Sequence, residues 1–178
     1  MLGCCRLCWA HVWFVNACVS NYAESFIVKS ESLDYLLQHQ CSRQWKGFLS
    51  ALATEFASQI DVGELRALMS RVGVRFGKMM ALPVCTNIED IQYAMNAVWH
   101  EMDWGWVEIE ERDRALSISH FCSPLVVAFG KDMQPWTPAF LEGVYQQWLA
   151  ALGANESLRV RQVSQVDELG RLEYRLSQ

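Results

Sequence analysis

Between Met102 and Trp106 the hydrophobic pattern of this 178-residue chain changes its period. Upstream, apolar residues recur every three or four positions; downstream they alternate. The first pattern lines one face of a helix and the second one face of a strand, so the chain is helical before this point and sheet-forming after it. The run Asp103-Trp104-Gly105-Trp106-Val107-Glu108-Ile109-Glu110 carries the switch. In an extended strand Val107 and Ile109 point to one side, and Trp106, Glu108 and Glu110 to the other. Gly105 relieves crowding where the chain leaves the helix.

In the helical half, Trp45, Phe48, Leu49, Leu52, Phe56 and Ile60 share one face of a first helix. Asp61 suits the N-cap of a second, whose stripe is Val62, Leu65, Met69, Val72, Phe76 and Met79. Gly73 and Gly77 stand four apart in it, where each Gly costs about 1 kcal/mol relative to Ala. Either another backbone packs closely against them, or the helix frays after Val72. Leu82-Pro83 ends that helix. Thr86 and Glu89 form a capping-box pattern for a third, with Ile88, Ile91, Met95, Val98 and Met102 on its face.

In the sheet half, a strand over 104–110, a turn at Arg112-Asp113-Arg114 and a strand over 116–121 make a hairpin. Residues 122–134 read as a loop containing Pro124 and Gly130. Thr137 caps and Pro138 opens a helix that bears Leu141, Val144, Tyr145, Trp148 and Leu152 and stops at Gly153. Leu158, Val160 and Gln162 alternate with Arg159, Arg161 and Val163; Leu172, Tyr174 and Leu176 alternate with Arg171, Glu173 and Arg175. This is a second strand pair with an apolar and a charged face, on which opposite charges could pair across strands. The expected class is α+β: N-terminal helices packed on a mainly antiparallel sheet, with a further helix between the strand pairs.

Residues 45–178 read as a single domain, preceded by a polar arm over 19–44. Residues 1–18 look foreign to the rest, with four of the seven cysteines and no helical or strand period. Three readings stand. Arg6 with the apolar run 7–15 and Cys18 resembles a weak signal segment. Cys4, Cys5, Cys8 and His11 resemble half a metal site, without the second ligand pair that a closed zinc centre needs. Alternatively, translation starts near Val19, since no Met lies between Met1 and Met69.

The chemistry of catalysis is not visible. The chain has no Gly-rich phosphate loop, no G-x-S-x-G elbow and no H-E-x-x-H helix. We therefore expect no catalytic residues, no metal and no cofactor. Glu108 and Glu110 lie about 7 Å apart on one strand face, a geometry far commoner on solvated strands than in glycosidases. His120 shares a face with Leu116 and Ile118 and is expected to be hydrogen-bonded and half-buried, whereas His100 is expected to be exposed. Cys41, Cys85 and Cys122 are expected to be reduced, partly buried thiols. A net charge of −5 without a cluster of basic residues excludes nucleic acid as a partner.

Several short segments carry a family resemblance in combination. They are Phe48-Leu49-Ser50-Ala51-Leu52, Arg71-Val72-Gly73-Val74-Arg75-Phe76-Gly77, Pro83-Val84-Cys85, Asn96-Ala97-Val98 and Trp104-Gly105, then the run from Trp136-Thr137-Pro138 to Val144-Tyr145, and Trp148. In this order and spacing, residues from about Phe48 to Ser177 resemble the D-subunit family of bacterial cellulose synthase complexes. The resemblance implies a non-catalytic accessory or scaffold component of cellulose synthesis and secretion. It implies an octamer built as four dimers, which promotes ordered export and crystallisation of glucan. The implied partners are the chain itself, the synthase catalytic complex, a proline-rich accessory protein and nascent β-1,4-glucan chains. The implied place is the cytoplasm against the inner-membrane complex, with the periplasm as the alternative. Ser42, Arg43, Gln44 and Trp45 supply donors and an aromatic plane suited to a glucan or a protein partner, although Trp45 also fits as the first core residue of its helix. A second class remains: a small-molecule sensor for haem or a lipid-like ligand, which needs a core pocket and, for haem, a ligating histidine.

Overall fold

The computed structural model describes residue 39 and residues 41–112, 115–167 and 169–178. The chain divides into two units, Met1–Gln38 and His39–Gln178, and the description concerns the second. Three helices come first: α1 (Arg43–Gln59), α2 (Val62–Met79) and α3 (Ile88–Glu101). The hairpin strands β1 (Trp106–Arg112) and β2 (Ala115–Phe121) follow. Next come a short helix α4 (Leu125–Phe129), a 3-10 turn (Lys131–Met133) and α5 (Ala139–Ala151). Strands β3 (Arg159–Gln162) and β4 (Leu172–Ser177) end the fold. The sheet is antiparallel throughout, in the order β1-β2-β4-β3. This is the α+β architecture read from the periodicity. The hairpin turn at Asp113 and Arg114 and the expectations for residues 1–38 lie outside the described residues.

The helix starts follow local chemistry. The Asp61 side chain accepts from the Gly63 N–H and caps α2. α3 is capped one residue later than Thr86 and Glu89 suggest. Asn87 Oδ1 accepts from the Asp90 N–H at 2.8 Å, and the Asp90 carboxylate accepts from Thr86 Oγ1 and Thr86 N–H at 2.6 and 3.0 Å. With its hydroxyl donating to Asp90, Thr86 leaves the capping role to the Asn87 carboxamide. These bonds, the Thr86 hydroxyl first, also hold the Asp90 carboxyl below its usual range. α5 begins at Ala139 with Pro138 at the cap position. Thr137 does not cap it; its hydroxyl donates to the Met133 carbonyl at 2.9 Å. Residues 122–134 are not an irregular loop either. Pro124 accepts the Ala128 N–H, and the apolar Leu125 and Ala128 turn inward on α4.

The core lies between the inner face of the sheet and α2, α3 and α5. At its centre is Trp99, fully buried and absent from the stripe read on α3. Its ring stacks on Phe76 (5.9 Å, 7°) and Trp104 (5.7 Å, 20°) and tilts against Trp148 at 5.1 Å. Trp148 Nε1 donates to the carbonyls of Gly77 and Met80 at 3.1 and 2.8 Å, fastening α5 to the end of α2. The strand β1 starts at Trp106, two residues after the expected 104. Trp104 instead turns into this aromatic cluster, and Gly105, at φ +80°, makes the bend. A Cβ on Gly105 would stand 1.9 Å from the Phe121 carbonyl oxygen.

Among the described elements, α2 and α5 make the most extensive contact. α2 runs unbroken through both glycines to Met79, so it does not fray after Val72. Its stripe is rotated from the expected one. Leu65, Gly73 and Gly77 are buried, whereas Val62, Val72 and Met79 are exposed. The reason is that the crossing with α5 is backbone on backbone, which selects the glycine face. A Cβ on Gly143 of α5 would likewise meet the Ser70 carbonyl oxygen at 2.0 Å.

Both sheet edges are closed by side chains four apart on a helix. On β1, Asn96 Oδ1 accepts from the Val107 N–H at 2.6 Å, Asn96 Nδ2 donates to the Val107 carbonyl at 3.0 Å, and Gln92 Oε1 accepts from the Ile109 N–H at 2.7 Å. On β3, Gln146 Oε1 accepts from the Val160 N–H at 2.9 Å and Glu142 Oε1 from the Gln162 N–H at 2.8 Å. Edge strands with free backbone groups invite strand addition, and here those groups are spent on α3 and α5. On the outer face the ion pairs Arg112–Glu110 and Arg171–Glu173 run along strands, and Arg161 stands opposite Arg175. The expected cross-strand attraction is thus replaced at that position by two like charges.

Candidate functional site

α1 is amphipathic, but its apolar face is only partly covered. Ala53 is its one fully buried residue, held against Leu65 and Trp136. Toward its N-terminus, Trp45 and Phe48 are each 56% exposed and lie edge to face at 6.0 Å. Trp45 is therefore not the first core residue of its helix. The uncovered face forms one wall of an open trough of about 600 Å³. α1 contributes Trp45, Leu49, Leu52 and Phe56; Met69, Val72 and Phe76 of α2 form the opposite wall; and Trp104, Phe129 and Trp136 close the floor and end. The lining is almost wholly apolar. Large exposed apolar surfaces of this kind mark interaction sites, because leaving them in water costs free energy that a partner recovers.

Of the four residues picked out ahead of the first helix, Ser42 and Trp45 line this trough, together with Cys41. Arg43 and Gln44 are exposed residues in the first turn of α1 and do not line it. The helix begins at Arg43, so these two are helical residues, not part of an arm. The signal that could have located the trough is a helix stripe richer in large apolar residues than one buried face can use.

The other candidates fall elsewhere. Glu108 and Glu110 stand exposed on the outer face of β1, and Glu110 pairs with Arg112. His120 is fully buried, deeper than expected, because its strand face is the floor of the core. Its Nε2 lies 2.7 Å from the Trp104 carbonyl oxygen, which can only accept, so Nε2 carries the proton. Nδ1 is then the acceptor for the Tyr145 hydroxyl at 2.5 Å. Burial depresses the His120 pKa to about 4, only partly opposed by the Trp104 carbonyl, so the ring is neutral. With both nitrogens engaged, His120 offers no lone pair to a haem iron. His100 is exposed, and Cys41, Cys85 and Cys122 are partly buried and not in disulfides. Among the described residues no three of His, Cys, Asp and Glu converge on a point that could hold a metal ion. No described helix is long and apolar enough to cross a membrane.

The fold is an α+β domain that carries an open, apolar trough on its surface. The sequence pattern of the D subunit of cellulose synthase matches residues 31–176, and the chain belongs to that family. Among curated relatives it is similar to a Cellulose synthase operon protein D of Komagataeibacter xylinus, 29% identical over 106 residues, covering 58% of this chain and 68% of the relative. The protein of the same description from Komagataeibacter sucrofermentans is 28% identical over the same shares. The family match begins at residue 31, well ahead of Phe48, so part of the segment before α1 has a family counterpart.

Proposed function

We propose that this chain is a non-catalytic accessory component of a bacterial cellulose synthesis and secretion complex. It acts as a self-assembling scaffold beside the synthase and promotes ordered export and crystallisation of glucan chains. Its place is the cytoplasmic side of the inner-membrane complex. The observation that carries this reading is the open apolar trough walled by Trp45, Phe56 and Phe76, in a chain that belongs to the cellulose synthase D family. An aromatic-lined groove suits a proline-rich segment, whose extended backbone is ordered before it binds and stacks its rings on aromatic planes. The trough is therefore the docking site for a proline-rich accessory protein of the complex. Ser42 offers a hydroxyl at its end, and Arg43 and Gln44 present donors beside it to the same partner or to glucan.

Cellulose production in cells carrying Trp45→Ser with Phe48→Ser is the test. The expected result is reduced yield or crystallinity with a folded, oligomeric protein. Normal cellulose from that strain rejects the trough as the docking site. Turnover of a cellooligosaccharide by the purified protein rejects the non-catalytic assignment.

A further inference from the structure

We propose that a polar cleft between α2, the 3-10 turn and the end of β3 binds a short segment of neutral glucan. It rests on the reading that this chain acts beside nascent glucan, and adds a site for that chain. The cleft encloses about 610 Å³, within the range of about 300–1,000 Å³ usual for small-ligand sites. Two of its groups are fixed by one carboxylate. Glu142, 6% exposed, accepts through Oε1 from Arg66 Nη2 at 2.9 Å and from the Gln162 N–H at 2.8 Å. Arg66 Nη1 also donates to the Pro135 carbonyl at 3.0 Å. Two of the five N–H groups of the guanidinium thus hold it in place, and the others are left for a ligand. The Gln162 side chain is oriented too: its Nε2 donates to the Ser164 carbonyl at 2.7 Å, which leaves Oε1 as an acceptor. Lys131, Asp132, Gln134 and Gln165 also line the cleft. None of these four side chains makes a hydrogen bond or ion pair among the described residues.

Charge selects the class of ligand. Glu142 cancels Arg66 and Asp132 offsets Lys131, so the cleft favours neither an anion nor a cation. What it offers is a mixture of donors and acceptors, since each carboxamide supplies both. A hydroxyl also donates and accepts, so a polyhydroxylated chain answers every one of these groups. Pro135 and Val166 add apolar contacts for the C–H faces of sugar rings. A peptide strand fits less well. It needs open backbone groups to pair with, and the β3 edge is sealed by Glu142 and Gln146. The trough does not suit glucan, because its apolar walls leave hydroxyls unpaired. The connection from Phe129 to Trp136 separates the two surfaces: its ends line the trough and its middle lines the cleft.

Calorimetric titration of the full chain with cellotetraose tests this, with inorganic phosphate as competitor. The unaltered protein should bind cellotetraose. Gln134→Ala with Gln165→Ala should weaken binding about tenfold, the loss of two hydrogen bonds. Asp132→Ala, at an exposed position, should weaken it several-fold. Trp45→Ser with Phe48→Ser, in the trough, should bind as the unaltered protein does. Binding that both cleft variants retain overturns the cleft, as does a folded unaltered protein that binds no cellotetraose. Should the double variant fail to fold, unchanged binding by Asp132→Ala overturns it alone. Loss of binding in the trough variant places glucan in the trough and overturns the cleft. Competition by phosphate overturns the neutral class of ligand. The underlying reading fails on a different result: cells lacking the protein that make cellulose of normal yield and order.

Discussion

The carbonyl oxygen of Phe140 stands 1.9 Å from the point where a Cβ on Gly73 would lie. No side chain fits there, so the distance between α2 and α5 is set by backbone contact. Gly77, one turn on, is less extreme: its Cβ would meet the Gln147 side chain at 3.1 Å and the Val144 carbonyl at 3.2 Å.

The two glycines should therefore differ. Gly73→Ala must push the helices apart and is expected to cost about 3 kcal/mol, the upper end for overpacking. Gly77→Ala should cost less than Gly73→Ala, and Gly77→Leu about 1–3 kcal/mol. Urea denaturation midpoints measure both. Equal midpoints for Gly73→Ala and the unaltered protein would contradict backbone contact at the crossing.

Asn96 serves both polar groups of the Val107 backbone. Asn96→Ala leaves that partly buried donor and acceptor unmatched, at a cost of about 2 kcal/mol. It also reopens the β1 edge, so the variant should aggregate faster on mild heating. Asn96→Asp keeps the acceptor for the Val107 N–H but sets a carboxylate oxygen against the Val107 carbonyl, which can only accept, so it should be destabilised as well. Thermal melts with turbidity readings separate the three proteins.

His120 makes stability depend on pH. Its folded pKa of about 4 lies below the ordinary value of 6.5. The unfolded chain therefore binds the proton more readily, and stability falls as pH drops through the window from about 6.5 to about 4. At the lower end this one group withdraws on the order of 3 kcal/mol. His120→Gln should flatten that part of the profile, at some cost in stability at neutral pH. Urea unfolding at stepped pH is the measurement; an unchanged slope in the variant would assign the dependence to other groups.

Trp45 and Phe48 contribute little to folding because more than half of each is in water. Trp45→Ser should change stability by about 0.5 kcal/mol or less, within the usual range for surface positions. It should at the same time weaken binding of a proline-rich peptide, read from the remaining tryptophan fluorescence. A large fall in melting temperature would instead make Trp45 part of the core.

Local patterns in the chain were enough to establish the kinds of element and their order. Helical and alternating periods report directly which face of each element is apolar. Hence the switch at Gly105, the hairpin, the Asp61 cap and the inward faces of β1 and β4 were legible. So was the family, because short segments kept their order and spacing. Packing decided which apolar residues were used. Trp45 and Trp99 look alike in sequence, yet one walls an open trough and the other is the centre of the core. The difference is what stands opposite: Trp45 faces an open groove, whereas Phe76, Trp104 and Trp148 surround Trp99. The burial of His120 and the sealing of the sheet edges by α3 and α5 were settled the same way. Each depends on a donor or acceptor brought close in space, and packing joins residues that no local period connects.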